Sequence, residues 1–361
     1  TLDGTLFPYT TLFRSYGPPV LDAAGNITAP AYARTMNKVS PSSNRTLDTV
    51  VHVDGLKRAI QTRKSAEVNH VIGMTVSGRA VYDALGRMAE ESQPGFVAST
   101  GSAYVAPSRR NPTLYAYDAM DRKTAIRYPD GSAVTMTYGF EEGAFSTRTR
   151  DQEGKQKTVL KDVRGNITAV KELCGGMWNA TRYTYDPLGQ ITKVTDAAGN
   201  STRVEYDGLG RRVSIDNPDA GLVEYRYDHA GNLGRKITPN LRAQGKYIQY
   251  FYSYNRLERI DYPDMADVLY TYGAPGAANN GAGRVIAVDN GVMKEKREYG
   301  RLGEVVKSVR TVSITVPSKA TKTFTTAYAY NNLGQMERMV YPDGEALSYG
   351  YDYGGQLIID A

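Results

Sequence analysis

The sequence has few of the residues on which crosslinks and many active sites depend. It holds one cysteine, Cys174, one tryptophan and three histidines among 361 residues. A single cysteine allows neither a disulfide within the chain nor a zinc site that needs two cysteines. There is no run of about 18 apolar residues, so we expect no membrane-spanning helix. Like charges never form a block of about five or six, which argues against a nucleic-acid-binding tail.

Phenylalanine is scarce as well, with 7 copies against 28 tyrosines. A core that needed only aromatic bulk would use both residues. The bias therefore predicts rings whose polar tip matters, as on half-exposed sheet faces. The 36 glycines and 16 prolines predict frequent turns, and the 41 % of hydrophobic residues is enough to bury a core.

One six-residue word returns along the chain. Its best copies follow one another at 21-residue intervals, from Tyr185 to Tyr206 and from Tyr206 to Tyr227. A second word, rich in Pro, Asp and Gly, lies between copies of the first. The first word is YDALGR at Tyr82, YDAMDR at Tyr117, YDPLGQ at Tyr185, YDGLGR at Tyr206, YDHAGN at Tyr227, YGRLGE at Tyr299, YNNLGQ at Tyr330 and YDYGGQ at Tyr351. The second is YPDG at Tyr128 and Tyr341, NPDA at Asn217, YPDM at Tyr262 and DAAGN at Asp196.

Both words have the residues of tight turns. In the first, Asp207 can accept hydrogen bonds from backbone N–H groups ahead of it, and Gly210 can adopt the left-handed conformation that closes a hairpin with a bulge. In the second, Pro342 presets φ, Asp343 follows, and Gly344 takes the positive-φ position. We predict the same structural roles at Tyr82, Asp83, Gly86, Tyr185, Asp186, Gly189, Tyr206, Tyr227, Asp228, Gly231, Tyr330 and Gly334.

The segments between the words alternate with period two. Thr202, Val204 and Tyr206 would point to one side of a strand and the residues between them to the other. In the other strand Ile191 and Val194 are three apart, so a β-bulge is needed to bring both to one face. The sequence therefore predicts an all-β fold, in which tandem antiparallel hairpins form a long curved sheet.

The organisation along the chain is less even. The stretch TLFPYTTLFRS resembles a translated sequencing adapter, so we expect residues 1–15 to be an artefact. We expect worn, irregular repeats over 16–80 and the repeat strip over 81–361, incomplete at its C-terminus, in a fragment of a longer protein. Three segments are expected to interrupt the strip: loop insertions at Pro94–Pro112 and Gly273–Gly283, and a long hairpin at Thr311–Thr326.

The two words in fixed order resemble the RHS, or YD-repeat, family, and look most like RHS proteins related to the B and C components of Tc toxins. The resemblance implies a hairpin strip that forms part of a hollow shell around a C-terminal toxin or effector domain, in the same or a companion chain. It implies a bacterial protein that is secreted or on the cell surface. The terminal motif at which such proteins cleave themselves is absent from this sequence.

No residue pattern points to catalysis or to a cofactor. Motifs of the HExxH, GxSxG, Walker A and GxGxxG types are absent. His229 occupies a turn position, and Cys174 has no CxxC partner. The repeated aspartates could be read as calcium ligands, but one Asp per turn supplies too few converging oxygens, so turn capping is preferred. We therefore expect no enzyme, no metal, no cofactor, no nucleic-acid partner and no membrane span.

Two alternatives remain open at this point. A surface adhesion module would use loops such as Pro94–Pro112 to bind a glycan, a protein or a cell-surface partner. A β-propeller would need about 40 residues per four-stranded blade, which two repeat units could supply. The uneven gaps between some words favour a continuous strip over radial closure.

Overall fold

The computed structural model describes residues 12–40, 43–106, 109–314 and 320–358. These residues form 33 strands and one short helix, α1 (Pro239–Ala243). In chain order the strands are β1 (Leu12–Gly17), β2 (Val20–Leu21), β3 (Ile27–Ala29), β4 (Ala31–Lys38), β5 (Thr46–Val53), β6 (Ala59–Val68), β7 (Val71–Val76), β8 (Ala80–Tyr82), β9 (Met88–Glu91), β10 (Gly95–Val97), β11 (Thr113–Tyr117), β12 (Lys123–Arg127), β13 (Ala133–Glu141), β14 (Ala144–Arg150), β15 (Gln156–Lys161), β16 (Ile167–Cys174), β17 (Met177–Tyr185), β18 (Ile191–Thr195), β19 (Ser201–Tyr206), β20 (Arg212–Asn217), β21 (Gly221–Tyr227), β22 (Leu233–Ile237), β23 (Ile248–Ser253), β24 (Arg256–Asp261), β25 (Val268–Tyr272), β26 (Val285–Asp289), β27 (Met293–Tyr299), β28 (Val305–Ile314), β29 (Ala320–Tyr330), β30 (Met336–Val340), β31 (Ala346–Ser348), β32 (Gly350–Tyr351) and β33 (Leu357–Ile358).

A long antiparallel ribbon contains most of the strands. Each strand from β11 to β31 pairs with its neighbour in sequence, and β8 and β9 precede β11 in the same sheet. In the strand order of the sheet, β8 follows β31. No residue pair is recorded between the described residues of these two strands, so the paired strands run from β8 to β31. A propeller would divide these strands into separate four-stranded blades. The predicted all-β hairpin strip is therefore confirmed, and the propeller alternative is wrong.

The strand after most of the Tyr words has the bulge that its hydrophobic spacing predicts. Tyr185 pairs with Ile191 whereas Thr184 pairs with Lys193, so the pairing skips Thr192. The same one-residue shift accompanies the words at Tyr82, Tyr117, Tyr206, Tyr227, Tyr299 and Tyr330. Bulges increase local twist and bend a strand. A bulge in nearly every unit therefore gives the ribbon a regular source of curvature.

A separate six-stranded sheet precedes the ribbon. Its order is β1-β4-β5-β6-β7-β10, and β2 and β3 form a small hairpin. In the region for which worn repeats are predicted, the strands thus build a distinct sheet. Of the suspected adapter, residues 1–11 lie outside the described part of the chain, whereas 12–15 belong to β1, which pairs with β4. Residues 81–91 begin the ribbon, although β10 returns to the first sheet.

The end of the ribbon comes back to the N-terminal sheet. The Arg45 guanidinium donates to the carbonyl oxygens of Tyr351, at 3.4 Å, and Asp352, and lies 5.6 Å from the ring centroid of Tyr353. The backbone N–H of Tyr353 donates to the Glu67 carboxylate at 3.0 Å. These contacts join residues about 300 positions apart, so the ribbon curls through a full circuit.

Most strand residues of the ribbon are half-buried, and full burial is concentrated in a few places. The apolar core residues are Val50, Met74 and Val76 in the N-terminal sheet and Ala144, Leu160, Ala169, Ile260, Ala287 and Tyr299 in the ribbon. Among the described residues, no helix has the length and apolar character needed to cross a membrane. The predicted hairpin at Thr311–Thr326 is formed by β28 and β29, with its tip at 315–319 outside the described residues.

Candidate functional site

The first word forms a five-residue turn closed by its aspartate. Around Asp207, the backbone N–H of Gly210 donates to Asp207 O and the N–H of Asp207 donates to Arg211 O, both at 2.9 Å. The carboxylate Oδ1 accepts from the N–H groups of Leu209 and Arg211 at 2.9 Å, and Oδ2 accepts from Arg211 Nε at 2.7 Å. Gly210 has φ of 77°, a conformation that costs other L-residues energy. One carboxylate thus satisfies three donors.

The same geometry recurs in the other words. Asp83, Asp186 and Asp228 use Oδ1 to accept from the N–H four residues on. At the word that starts with Tyr330, Asn331 Oδ1 replaces the carboxylate oxygen. The glycines of these turns all have positive φ: Gly86, Gly189, Gly231 and Gly334. These residues lie at chain reversals, and neighbouring words share open surface depressions, one of which is lined by Asp186, Tyr206 and Asp207.

The second word builds the same type of turn with its aspartate at a different position. At its C-terminal copy the N–H of Gly344 donates to Tyr341 O at 3.0 Å, and Gly344 has φ of 93°. Asp343 Oδ1 accepts from the N–H of Glu345 at 3.1 Å, and Pro342 fills the first central position. The two words therefore close opposite edges of the ribbon with one backbone geometry.

Tyrosine hydroxyls join neighbouring hairpins of the ribbon. Tyr206 Oη donates to Ile191 O at 3.0 Å, and Tyr227 Oη donates to Arg212 O at 2.8 Å. In both cases the acceptor is the carbonyl group just after the preceding word. Nine such bonds, of 2.5 to 3.3 Å, are made by Tyr82, Tyr117, Tyr138, Tyr185, Tyr206, Tyr227, Tyr272, Tyr299 and Tyr351. Phenylalanine cannot make this bond, which accounts for the excess of tyrosine.

Arginine side chains cover several of the same rings. The Arg211 guanidinium, which is paired with Asp207, lies 4.7 Å from the ring centroid of Tyr227. Similar contacts join Arg58 to Tyr82, Arg87 to Tyr117, Arg122 to Tyr138, Arg256 to Tyr272 and Arg284 to Tyr299. Each cation–π contact of this kind contributes about 0.5–1 kcal/mol at an exposed site. The words therefore form a ladder of Asp, Arg and Tyr contacts along one edge of the ribbon.

Replacing Tyr206 by phenylalanine tests the hydroxyl ladder. We expect the local free energy of opening to fall by about 1 kcal/mol, because the Ile191 carbonyl loses its partner. Hydrogen exchange of the β18–β19 hairpin measures this change. Tyr183→Phe is the matched control, because no described residue bonds to the half-buried Tyr183 hydroxyl. Equal effects of the two substitutions would contradict the role of the hydroxyl.

The turn aspartates are held in their ionised form. Hydrogen bonds from Arg211 lower the pKa of Asp207. Bonds from the residue four positions on likewise lower the pKa of Asp54, Asp83, Asp118, Asp162, Asp196 and Asp228. A carboxylate whose pKa is lower in the folded state stabilises the fold above its unfolded pKa, and that stabilisation is lost as the pH falls.

Acid is therefore expected to weaken the ribbon. The urea midpoint should be nearly constant above about pH 5 and should fall below about pH 4, since unfolded aspartate has a pKa of about 3.9. Combined Asp→Asn substitutions at Asp83, Asp207 and Asp228 should flatten this dependence, because the amide oxygen still accepts the backbone bonds but does not titrate. An unchanged acid slope in that variant would assign the effect to other carboxylates.

The candidate reactive side chains are scattered. Cys174 is exposed at the end of β16, His229 is exposed in its turn, and the His70 side chain is fully exposed after β6. His52 is 1 % exposed, and burial together with the nearby Arg63 lowers its pKa. It shares one face of the N-terminal sheet with the equally buried Gln61 and Arg63. Sequence reasoning missed this cluster, although the alternation of Gln61 and Arg63 in a strand could have indicated it.

Comparisons with known proteins agree with this geometry. The family model described as RHS Repeat matches residues 162–201 and 185–222. A curated relative, double-stranded DNA deaminase toxin A of Burkholderia cenocepacia (strain H111), is 24 % identical over 260 residues, which are 58 % of this chain and 17 % of that protein.

Solved structures share the fold over nearly the whole chain. The crystal structure of TcdB2-TccC3 superposes with a TM-score of 0.78 at 17 % identity, over 96 % of this chain and 20 % of that one. The TcdB2-TccC3-Cdc42 crystal structure gives 0.77 at 16 % identity, over 93 % and 19 %. The Tc holotoxin pore of Photorhabdus luminescens, with a mutation in TccC3, gives 0.76 at 17 % identity, over 92 % and 19 %. This chain spans about a fifth of the length of these proteins.

Proposed function

We propose that this chain, whose residues 162–201 and 185–222 match the RHS Repeat family model, is part of a shell that encapsulates a C-terminal toxin or effector domain. The domain would belong to the same or a companion chain. The role of the ribbon is structural: it separates the enclosed chain from solvent and delays its release. We assign no catalytic step to the ribbon itself.

One observation carries this proposal. A ladder of neighbouring strands curls until its last words touch the N-terminal sheet through Arg45 and Glu67. A ribbon that completes a circuit encloses a space, and repeated bulges supply the curvature. A toxin and a toxin complex are among the matched proteins, which supports a toxin or effector as the enclosed domain.

The adhesion alternative is weakened by the position of its loop. Within Pro94–Pro112, residues 95–97 form β10, and Ser102 and Val105 hydrogen-bond to buried residues of the N-terminal sheet. A segment held in this way is not a free binding loop, although residues 98–100 and 109–111 are exposed. A cell-surface partner remains a prediction to which no surface of the ribbon is assigned. We further propose that the protein is secreted or displayed by a bacterium.

Protease protection tests encapsulation. In a protein that carries both this ribbon and its C-terminal domain, we expect that domain to resist a nonspecific protease under native conditions. Cleavage should begin at the urea concentration that opens the ribbon. The isolated domain is the control and should be cut at once. Equal cleavage rates for the enclosed and isolated domain in native buffer would refute the proposal.

A further inference from the structure

A segment that pairs with no strand covers the buried polar face of the N-terminal sheet. Strands β5 and β6 place His52, Gln61 and Arg63 on one face, where each is at most 1 % exposed. The segment Ser99–Val105 lies against these three side chains. It has no backbone hydrogen bond to another described segment, so these side chains hold it in place.

The sheet recognises this segment almost entirely through its main chain. Gln61 Nε2 donates to Val105 O at 2.6 Å, and the N–H of Val105 donates back to Gln61 Oε1 at 3.1 Å. This reciprocal pair copies the bonds that a neighbouring strand would make. His52 Nε2 donates to Ser102 O at 3.0 Å. Main-chain bonds give affinity without sequence specificity.

Arg63 makes the charged part of the site. Its guanidinium donates to the carbonyl oxygens of Ala103 and of Ser99, the latter at 3.2 Å, and lies 3.4 Å from Ser99 Oγ. No carboxylate in the described part of the chain pairs with it. A fully buried guanidinium that binds carbonyl groups instead of an acid is suited to a polypeptide backbone.

A single side chain of the segment adds specificity. The Tyr104 ring meets the His52 ring edge to face, with centroids 5.4 Å apart. Beside Tyr104 lies a mainly apolar cavity of about 330 Å³, lined also by Pro30, Val53 and Ile60. This volume would accommodate a second aromatic or aliphatic side chain. The site therefore fits a chain that bends around Arg63, as this segment does at Gly101 with φ of 103°, and that has an aromatic residue at this position.

The present occupant leaves part of the site unused. Arg63 Nε and His52 Nδ1 are buried and have no hydrogen-bond partner. A buried donor without a partner costs about 1–3 kcal/mol, so a ligand that supplied another carbonyl group to Arg63 would bind better. The segment thus leaves two buried polar atoms of the site without a partner.

From these contacts we infer that the face formed by His52, Gln61 and Arg63 is a binding site for a segment of a partner polypeptide that bends as Ser99–Val105 does and displaces it. Recognition runs through the carbonyl groups of the ligand and one aromatic side chain. This binding site does not require that the ribbon enclose a toxin or effector domain.

A peptide in trans tests this inference. The probe is a fluorescent nonapeptide with the sequence of residues 98–106, and the receptor is the whole chain with those residues replaced by a Gly/Ser linker. We expect this receptor to bind the probe at least about tenfold more tightly than the unmodified chain does. Scrambling the probe around a fixed Gly and a fixed Tyr should change affinity less than about threefold, whereas Tyr→Ala should weaken it about tenfold.

The matched control is Gln61→Leu in the same receptor, which keeps the volume and removes the reciprocal bonds. It should weaken probe binding about tenfold. If the linker receptor does not fold by circular dichroism, excess probe is added to the unmodified chain, where it should raise exchange of the Val105 amide about tenfold. No binding by a folded receptor, no rise in that exchange, or strict dependence on sequence order would each overturn the inference.

Discussion

Replacing Arg63 by methionine is expected to loosen the covering segment by about 3 kcal/mol. Methionine fills the space of the aliphatic stem but leaves the carbonyl groups of Ser99 and Ala103 without donors. Hydrogen bonds to charged groups contribute about 1.5–3 kcal/mol each, and the relief of burying the guanidinium offsets part of that loss. Hydrogen exchange at the Val105 amide should therefore accelerate about 100-fold, since about 1.4 kcal/mol corresponds to tenfold.

Arg109→Met is the control for this substitution. Arg109 follows the same segment, but its side chain is 56 % exposed and pairs with Glu90 at 3.0 Å. Exposed ion pairs contribute up to about 1 kcal/mol, so exchange at Val105 should change less than about fivefold. A similar response to both substitutions would mean that Arg63 does not anchor the segment.

Replacing Asp207 by alanine should open its turn and loosen the strands on either side. The substitution removes the acceptor for two backbone N–H groups and for Arg211 Nε, which resembles the loss of a strong helix cap. It also frees Arg211 from its position over Tyr227, so the next hairpin should loosen as well. Hydrogen exchange resolved over β19–β22 should show about a 30-fold acceleration that fades with distance from the turn.

Two variants separate these contributions. Asp207→Asn keeps the Oδ1 acceptor and should accelerate exchange less than about threefold, because it removes only an exposed ion pair. Asp219→Ala removes a carboxylate from the next turn that bonds to no described residue, so it should change stability by less than about 0.5 kcal/mol. If Asp219→Ala matched Asp207→Ala, the turn-closing role of the Asp207 carboxylate would be wrong.

The repeated turns could be predicted because their causes are local. The donors that Asp207 satisfies lie within four residues of it, and the bulge at Thr192 follows from the three-residue spacing of Ile191 and Val194. Tyrosine ladders are less local, yet the bias towards Tyr206 and its counterparts over phenylalanine indicated that the polar tip has a partner. The carbonyl that serves as that partner became visible only with the register.

The N-terminal sheet could not be predicted in the same way. Its buried polar residues bond to Ser99–Val105, about 40 positions further along the chain. No residue near Arg63 or Gln61 in the sequence indicates that this segment covers them. Arg45 contacts Tyr351 and Asp352, which are separated from it by even more of the sequence. Both depend on how the chain closes, which local turn chemistry does not determine.

Pairing of each ribbon strand with the strand beside it in sequence has a consequence for how the protein is made. Every hairpin can form once its own 20 or so residues have emerged, because no partner from a distant part of the chain is needed. Folding can therefore proceed from one end to the other during synthesis, with the circuit closing last. The same independence allows whole units to be gained or lost by duplication or deletion, which changes the length of the ribbon without altering the remaining hairpins.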